Sequence, residues 1–99
     1  MNPLRGEATF RIGGRACILR PTFAALVAAE EELGSLFALV ERAGEGQLRL
    51  TELAALFWHC LSDGDVTREQ VGDAVAERGL AACARPLRTL LQQILQGLG

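Results

Sequence analysis

The sequence predicts an α+β fold, an N-terminal β-hairpin packed on a bundle of four to five short α-helices. Three observations predict it. Two short, partly alternating stretches flank Gly13-Gly14 near the start of the chain. From Thr22 onward, apolar residues recur every three or four positions in segments bounded by glycines and capping residues. An apolar content of 49%, with 17 leucines and 15 alanines, is too high for a disordered chain and too rich in Ala and Leu for an all-β one. With 99 residues the chain is expected to form a single domain over 1–99, the hairpin at 7–20 and the helical part at 22–96.

The hairpin comes first. Residues 7–12 and 15–20 flank Gly13-Gly14, a two-residue turn that needs positive φ, which glycine supplies without strain. Pairing across it sets Phe10 opposite Cys17 and Ala8 opposite Leu19, which with Ile12 make one apolar face. The other face sets Glu7 opposite Arg20 and Thr9 opposite Ile18. That asymmetry fixes the register. A lone hairpin is marginal in water, so its apolar face must pack on helices.

Thr22 is a predicted N-cap for a first helix whose inner stripe is Phe23, Leu26, Val27 and Leu33, with Gly34 at its C-terminal end. Ser35 caps a second helix with inner positions Leu36, Leu39, Val40 and Ala43, ended by Gly44-Glu45-Gly46. Leu48-Arg49-Leu50 reads as a short extended link. Thr51 then opens a third helix with Leu53, Leu56, Phe57, Cys60 and Leu61 facing inward. After a loop at Ser62-Asp63-Gly64-Asp65, Thr67 and Gln70 form a capping box for a fourth helix over about 68–78, closed by Gly79. The last apolar stripe runs through Leu80, Cys83, Ala84, Leu87, Leu90, Leu91, Ile94 and Leu95. Pro86 lies inside it and lacks an N–H, which predicts a break near Arg85.

Charge and cysteine content exclude several classes. Ten arginines and no lysine face twelve acids, for a net charge of −2, which argues against a general binder of phosphate backbones. Cys17, Cys60 and Cys83 are an odd set without CxxC spacing, so a disulfide framework is not expected and a cytoplasmic setting fits. The first residues show no apolar signal-peptide core, and no apolar run reaches the roughly 18–20 residues of a membrane span.

No constellation of residues points to catalysis or to a cofactor. Residues 63–70 resemble the end of an EF-hand loop, but aligning Gly64 as the turn glycine puts His59 and Leu61 at ligand positions and Gln70 at the bidentate Glu position. His59 and Cys60 are adjacent, hence about 100° apart on a helix, and cannot form a nucleophile–base pair. One histidine and three dispersed cysteines do not make a zinc site. The region from 68 to Arg88 has the outline of a helix-turn-helix, yet its recognition positions would be Ala81-Ala82-Cys83-Ala84, which can read no base edge.

Three residues stand out on other grounds. Glu30, seven positions after Phe23, lies close to the apolar stripe. It reads either as a rim residue reaching water or as a tether accepting N–H bonds from the 34–36 corner. Trp58 lies away from the Leu53/Leu56/Cys60 line, near Ala54, and Phe37 is displaced from the stripe of its own helix. They fit either a broad buried face or a partner-docking patch of Phe37, Ala54 and Trp58, since tryptophan is enriched at interface hot spots. On the second reading, Trp58→Ala weakens partner binding at little cost in stability. The structural positions singled out are Gly13, Gly14, Thr22, Glu30, Gly34 and Thr67.

Arg5-Gly6-Glu7, the hairpin with Gly13-Gly14 and Leu19, then Thr22, Ala25-Leu26, Glu30 and Leu33-Gly34-Ser35-Leu36 follow in order. This spacing resembles the small tail proteins of gene transfer agents and related prophages, described as tail-tube-associated or as tail assembly chaperones. The resemblance is closest over 4–60 and looser from 63 onward, and Pro86 departs from it. It implies a non-enzymatic role in building a phage-like tail. In that role a chaperone would hold a tape-measure protein soluble or deliver tail-tube subunits. A structural component retained in the particle is the alternative, and a small helix-turn-helix-like DNA-binding domain is the second. The expected partners are a tail-tube or tape-measure protein, with self-association as a further option and neither nucleic acid nor membrane involved.

Overall fold

The computed structural model describes residues 7–62 and 64–96. Arg5-Gly6 of the family-like opening and Asp63 of the predicted loop lie outside the described residues. The elements follow in the order β1 (Ala8–Ile12), β2 (Arg15–Leu19), α1 (Phe23–Leu33), α2 (Leu36–Gly44), α3 (Leu50–Cys60), α4 (Arg68–Arg78) and α5 (Leu80–Gln96). The fold is therefore α+β, a two-stranded antiparallel sheet followed by five helices.

The hairpin has the predicted register, with Phe10 opposite Cys17 and Ala8 opposite Leu19. Gly13 and Gly14 have φ of 60° and 80°, the two positive values a type I′ turn demands. Ala8, Phe10, Ile12, Cys17 and Leu19 are all buried. Glu7 is buried too, and Arg20 reaches it from the opposite strand at 2.6 Å, so its carboxylate has a charged donor in place of water. The outer edge of β2 does not stay open. The Arg20 N–H donates to the Cys60 carbonyl at 2.6 Å, and the Ser62 N–H donates to that of Ile18 at 3.1 Å. The segment after α3 thus acts as a short third strand and covers the edge.

The apolar face of the hairpin is covered by the helices. Phe57 of α3 meets Phe10 edge-on, with centroids 5.1 Å apart, and α4 and α5 both pack on β1. α3 sits centrally, with Leu53, Leu56, Phe57 and Cys60 buried and with α1 and α4 packed on either side. The caps match their sequence signals. Thr22 Oγ1 accepts from the Ala25 N–H at 3.1 Å, Ser35 Oγ from Ala38 at 3.3 Å and Thr67 Oγ1 from Gln70 at 3.1 Å. Gly34 and Gly79 end α1 and α4 with φ of 84° and 88°.

Three expectations are corrected. The inward line of α1 is Ala25 and Ala29 with Leu26 and Leu33 beside them, whereas Phe23 is 83% exposed and Val27 36%. Small side chains at Ala25 and Ala29 let α1 approach α3 closely, and that contact rotates Phe23 outward. The helix expected at Thr51 starts at Leu50, because the Glu52 carboxylate accepts from the Arg49 N–H at 3.0 Å and fixes the first turn one residue earlier. Finally, α5 does not break near Arg85. It runs unbroken from Leu80 to Gln96 with Pro86 inside. Cys83, Pro86 and Leu90 are buried on one face, so packing on both sides of Pro86 outweighs the hydrogen bond it cannot donate.

An interior proline costs a helix about 3 kcal/mol relative to alanine. Pro86→Ala is therefore expected to raise stability by about 1–2 kcal/mol after allowing for lost side-chain packing. Urea denaturation checks this. A lower midpoint for the variant would place a true helix start at Pro86.

Candidate protein-docking face

The exposed apolar residues are concentrated on one side of the molecule. Phe23, Val27, Phe37 and Leu95 stand out at 83%, 36%, 82% and 59% exposure, and all four line one groove of about 270 Å³ between α1, α2 and the end of α5. The groove continues along the seam between α2 and α5, where Val40, Ala43, Leu87 and Leu91 face one another across an open cleft. It ends where Leu50 and Leu80, 57% and 61% exposed, flank Leu48 and Leu53. These three stretches share Val40, Ala43, Leu87 and Leu95 and form one continuous apolar belt. Monomeric proteins rarely leave such a belt uncovered unless it serves an interaction.

Local structure holds the belt open. At the α1–α2 corner, Glu30 Oε2 accepts the Leu36 N–H at 3.1 Å and the Glu30 carbonyl accepts the Gly34 N–H at 2.9 Å. Of the two readings of Glu30, the structure shows the tether. It satisfies a first-turn donor of α2 and fixes the angle at which Phe37 leaves the corner. On the far side, Arg42 of α2 grips Glu52 of α3 with two bonds of 2.7 and 2.6 Å. That pair, with the Arg49 N–H as a further donor, lowers the Glu52 carboxyl to about 2. α2 is thus pinned at both ends to α1 and α3, which leaves its other side facing the cleft.

Phe37 is the one member of the predicted patch that lies in this belt. Ala54 and Trp58 do not line it. Trp58 is half-buried and packs against the core, and its indole N–H donates to the Val66 carbonyl at 3.2 Å. The Arg68 guanidinium lies 4.5 Å from the ring centroid, a cation–π contact. Around it, Glu32 Oε1 lies 2.8 Å from His59 Nε2, and Arg68 donates to Glu32 Oε2 at 2.5 Å. Arg68 first and His59 second lower the Glu32 carboxyl to about 2. This stabilisation is present above the ordinary carboxylate range and is lost as pH falls toward 2. Of the two readings of Trp58, these contacts favour the broad buried face over the docking patch. Its displacement from the inner stripe of α3 turns it toward the loop before α4.

Sequence reasoning missed Phe23, Val27 and Leu95 as surface residues because each falls on an apolar stripe. The pair Ala25 and Ala29, spaced by four, was the signal that the close-packed side of α1 lay elsewhere. Among the described residues no group of three or more His, Cys, Asp or Glu side chains is placed to hold a metal ion. No described helix is long and apolar enough to cross a membrane. Cys60 is buried in apolar surroundings that push its thiol up to about 12, which makes it a packing residue.

The family described as phage tail tube protein, GTA-gp10, matches residues 5–97, nearly the whole chain, and the protein belongs to that family. It is thus a protein of phage-like tails. No curated protein and no solved structure matches the chain.

Loss of the Trp58 contacts is expected to destabilise the domain. Trp58→Ala is expected to cost about 2 kcal/mol, less than a fully buried aromatic because Trp58 is half-buried. Trp58→Phe, which loses only the indole N–H, should cost about 1 kcal/mol. Equilibrium unfolding in urea measures both. An alanine variant as stable as the parent would return Trp58 to the surface.

Proposed function

We propose that the protein acts in tail morphogenesis as an assembly chaperone. In this reading the α1–α2–α5 belt docks on a tape-measure or tail-tube protein and keeps that protein's apolar surface out of water until the tail is built. The observation that carries the reading is the belt itself, four of whose residues are large, apolar and exposed at one end. Membership in a tail protein family supplies the setting.

The layout favours one partner at a time. A subunit that closes a ring by head-to-tail contacts needs two different complementary lateral patches, and stacking rings into a tube needs two more. Here the large exposed apolar residues are gathered into one belt. The charged network of Glu32, His59 and Arg68 and the exposed Arg15–Asp65 pair line none of the belt's stretches. Retention as a structural component is the second reading, and the family's description as a tail tube protein favours it.

A double variant, Phe23→Ser with Phe37→Ser, tests the docking. Both rings are over four-fifths exposed, so thermal stability should change by less than about 0.5 kcal/mol. Co-purification with the cognate tail-tube or tape-measure protein should be lost. Undiminished co-purification would remove the belt from the function. Mass spectrometry of purified particles separates the two readings, since a chaperone is absent from the finished particle and a structural component is present.

A further inference from the structure

The belt is not electrically neutral, and its charges bear on what it binds. Arg49 and Arg88 line it, Arg49 beside Leu50 and Leu80 and Arg88 on the α5 side of the seam. Neither makes an ion pair among the described residues. The carboxylates near them are already engaged or lie outside the lining. Glu52, the acid closest in sequence to Arg49, has both oxygens held by Arg42 and one also by the Arg49 N–H. Glu30, the sole acid lining the belt among the described residues, accepts from Leu36. Glu41 and Glu45 of α2 do not line the seam. A chain with a net charge of −2 therefore presents an apolar cleft edged by two arginines, neither of them in an ion pair among the described residues.

From this complementarity we propose that the seam between α2 and α5 receives an amphipathic helix of the partner protein. The helix lays an apolar ridge on Val40, Ala43, Leu87 and Leu91, and its carboxylates flank that ridge to meet Arg49 and Arg88. The seam runs between two helices, the arrangement in which a third helix docks by its i, i+3, i+4 and i+7 residues. Arginine suits the rim because its planar fork engages a carboxylate through two bonds while its stem lies along apolar surface. Opposite charge at the rim selects among apolar helices, which share the same ridge, and speeds encounter. The inference rests on the docking role proposed above and adds the chemistry of the partner segment.

The test uses the full chain and two synthetic helical peptides that share one Leu ridge, one flanked by Glu and the other by Lys, with binding read by fluorescence anisotropy. The Glu peptide is expected to bind about tenfold more tightly than the Lys peptide at low salt, with the difference shrinking as salt rises. Arg49→Glu with Arg88→Glu is expected to invert the preference, and Phe23→Ser with Phe37→Ser to weaken both peptides alike. Equal binding of the two peptides, or a preference unmoved by the arginine variant, would overturn the inference while leaving the docking role standing. If neither peptide binds and sedimentation shows a dimer that Phe37→Ser dissociates, the belt is occupied by a second copy of the chain and the inference fails. The docking role fails separately if the phenylalanine variant still co-purifies with its tail partner.

Discussion

A two-stranded hairpin cannot hold its apolar face out of water alone, and the rest of the fold answers that constraint. Ala8, Phe10, Ile12, Cys17 and Leu19 present one apolar face and need helices over it. Phe57 supplies the central contact against Phe10, and α4 and α5 close over β1. The backbone after α3 returns to β2 and covers the open edge, so both the face and one edge of the hairpin are satisfied by the same helix and its exit. α1 then packs on α3 through its alanines, and α2 follows α1. Once these contacts are made, α2 and the end of α5 have apolar residues to spare and face each other across a cleft.

Much of this was legible in the sequence for local reasons. The Gly13-Gly14 turn, the caps at Thr22, Ser35 and Thr67, and the glycines at 34 and 79 each act within a few residues, so their chemistry reads directly from spacing. The inner stripe of α3 was legible because that helix is packed by both α1 and α4, and Leu53, Leu56, Phe57 and Cys60 are all buried. The stripe of α1 was not, since periodicity shows that a helix has an apolar side without showing which apolar residues the neighbour will take. Small alanines won the contact and the larger Phe23 and Val27 were left outside. Pro86 misled for a related reason, as the local rule against an interior proline yielded to packing spread along a 17-residue helix.

The candidate site divides the same way. Phe37 and Trp58 both stood out because they sit off their stripes, and that displacement leaves Phe37 exposed but turns Trp58 toward the loop before α4. The links that set the site's shape join residues far apart in sequence. Arg42 with Glu52, and Glu32 with His59 and Arg68, are invisible to any local pattern. They tie α2 to α3, and α1 to α3 and to the start of α4.

The central claim is that the belt, and not the charged side, meets the tail partner. Site-specific photo-crosslinking tests it most directly, with a photoreactive phenylalanine analogue placed at Phe37 in one sample and at Asp73 in another, each mixed with the purified tail-tube or tape-measure protein. A crosslinked adduct is expected from position 37 and none from position 73, which lies on α4 and lines none of the belt's stretches. An adduct from position 73 with none from position 37 would contradict it.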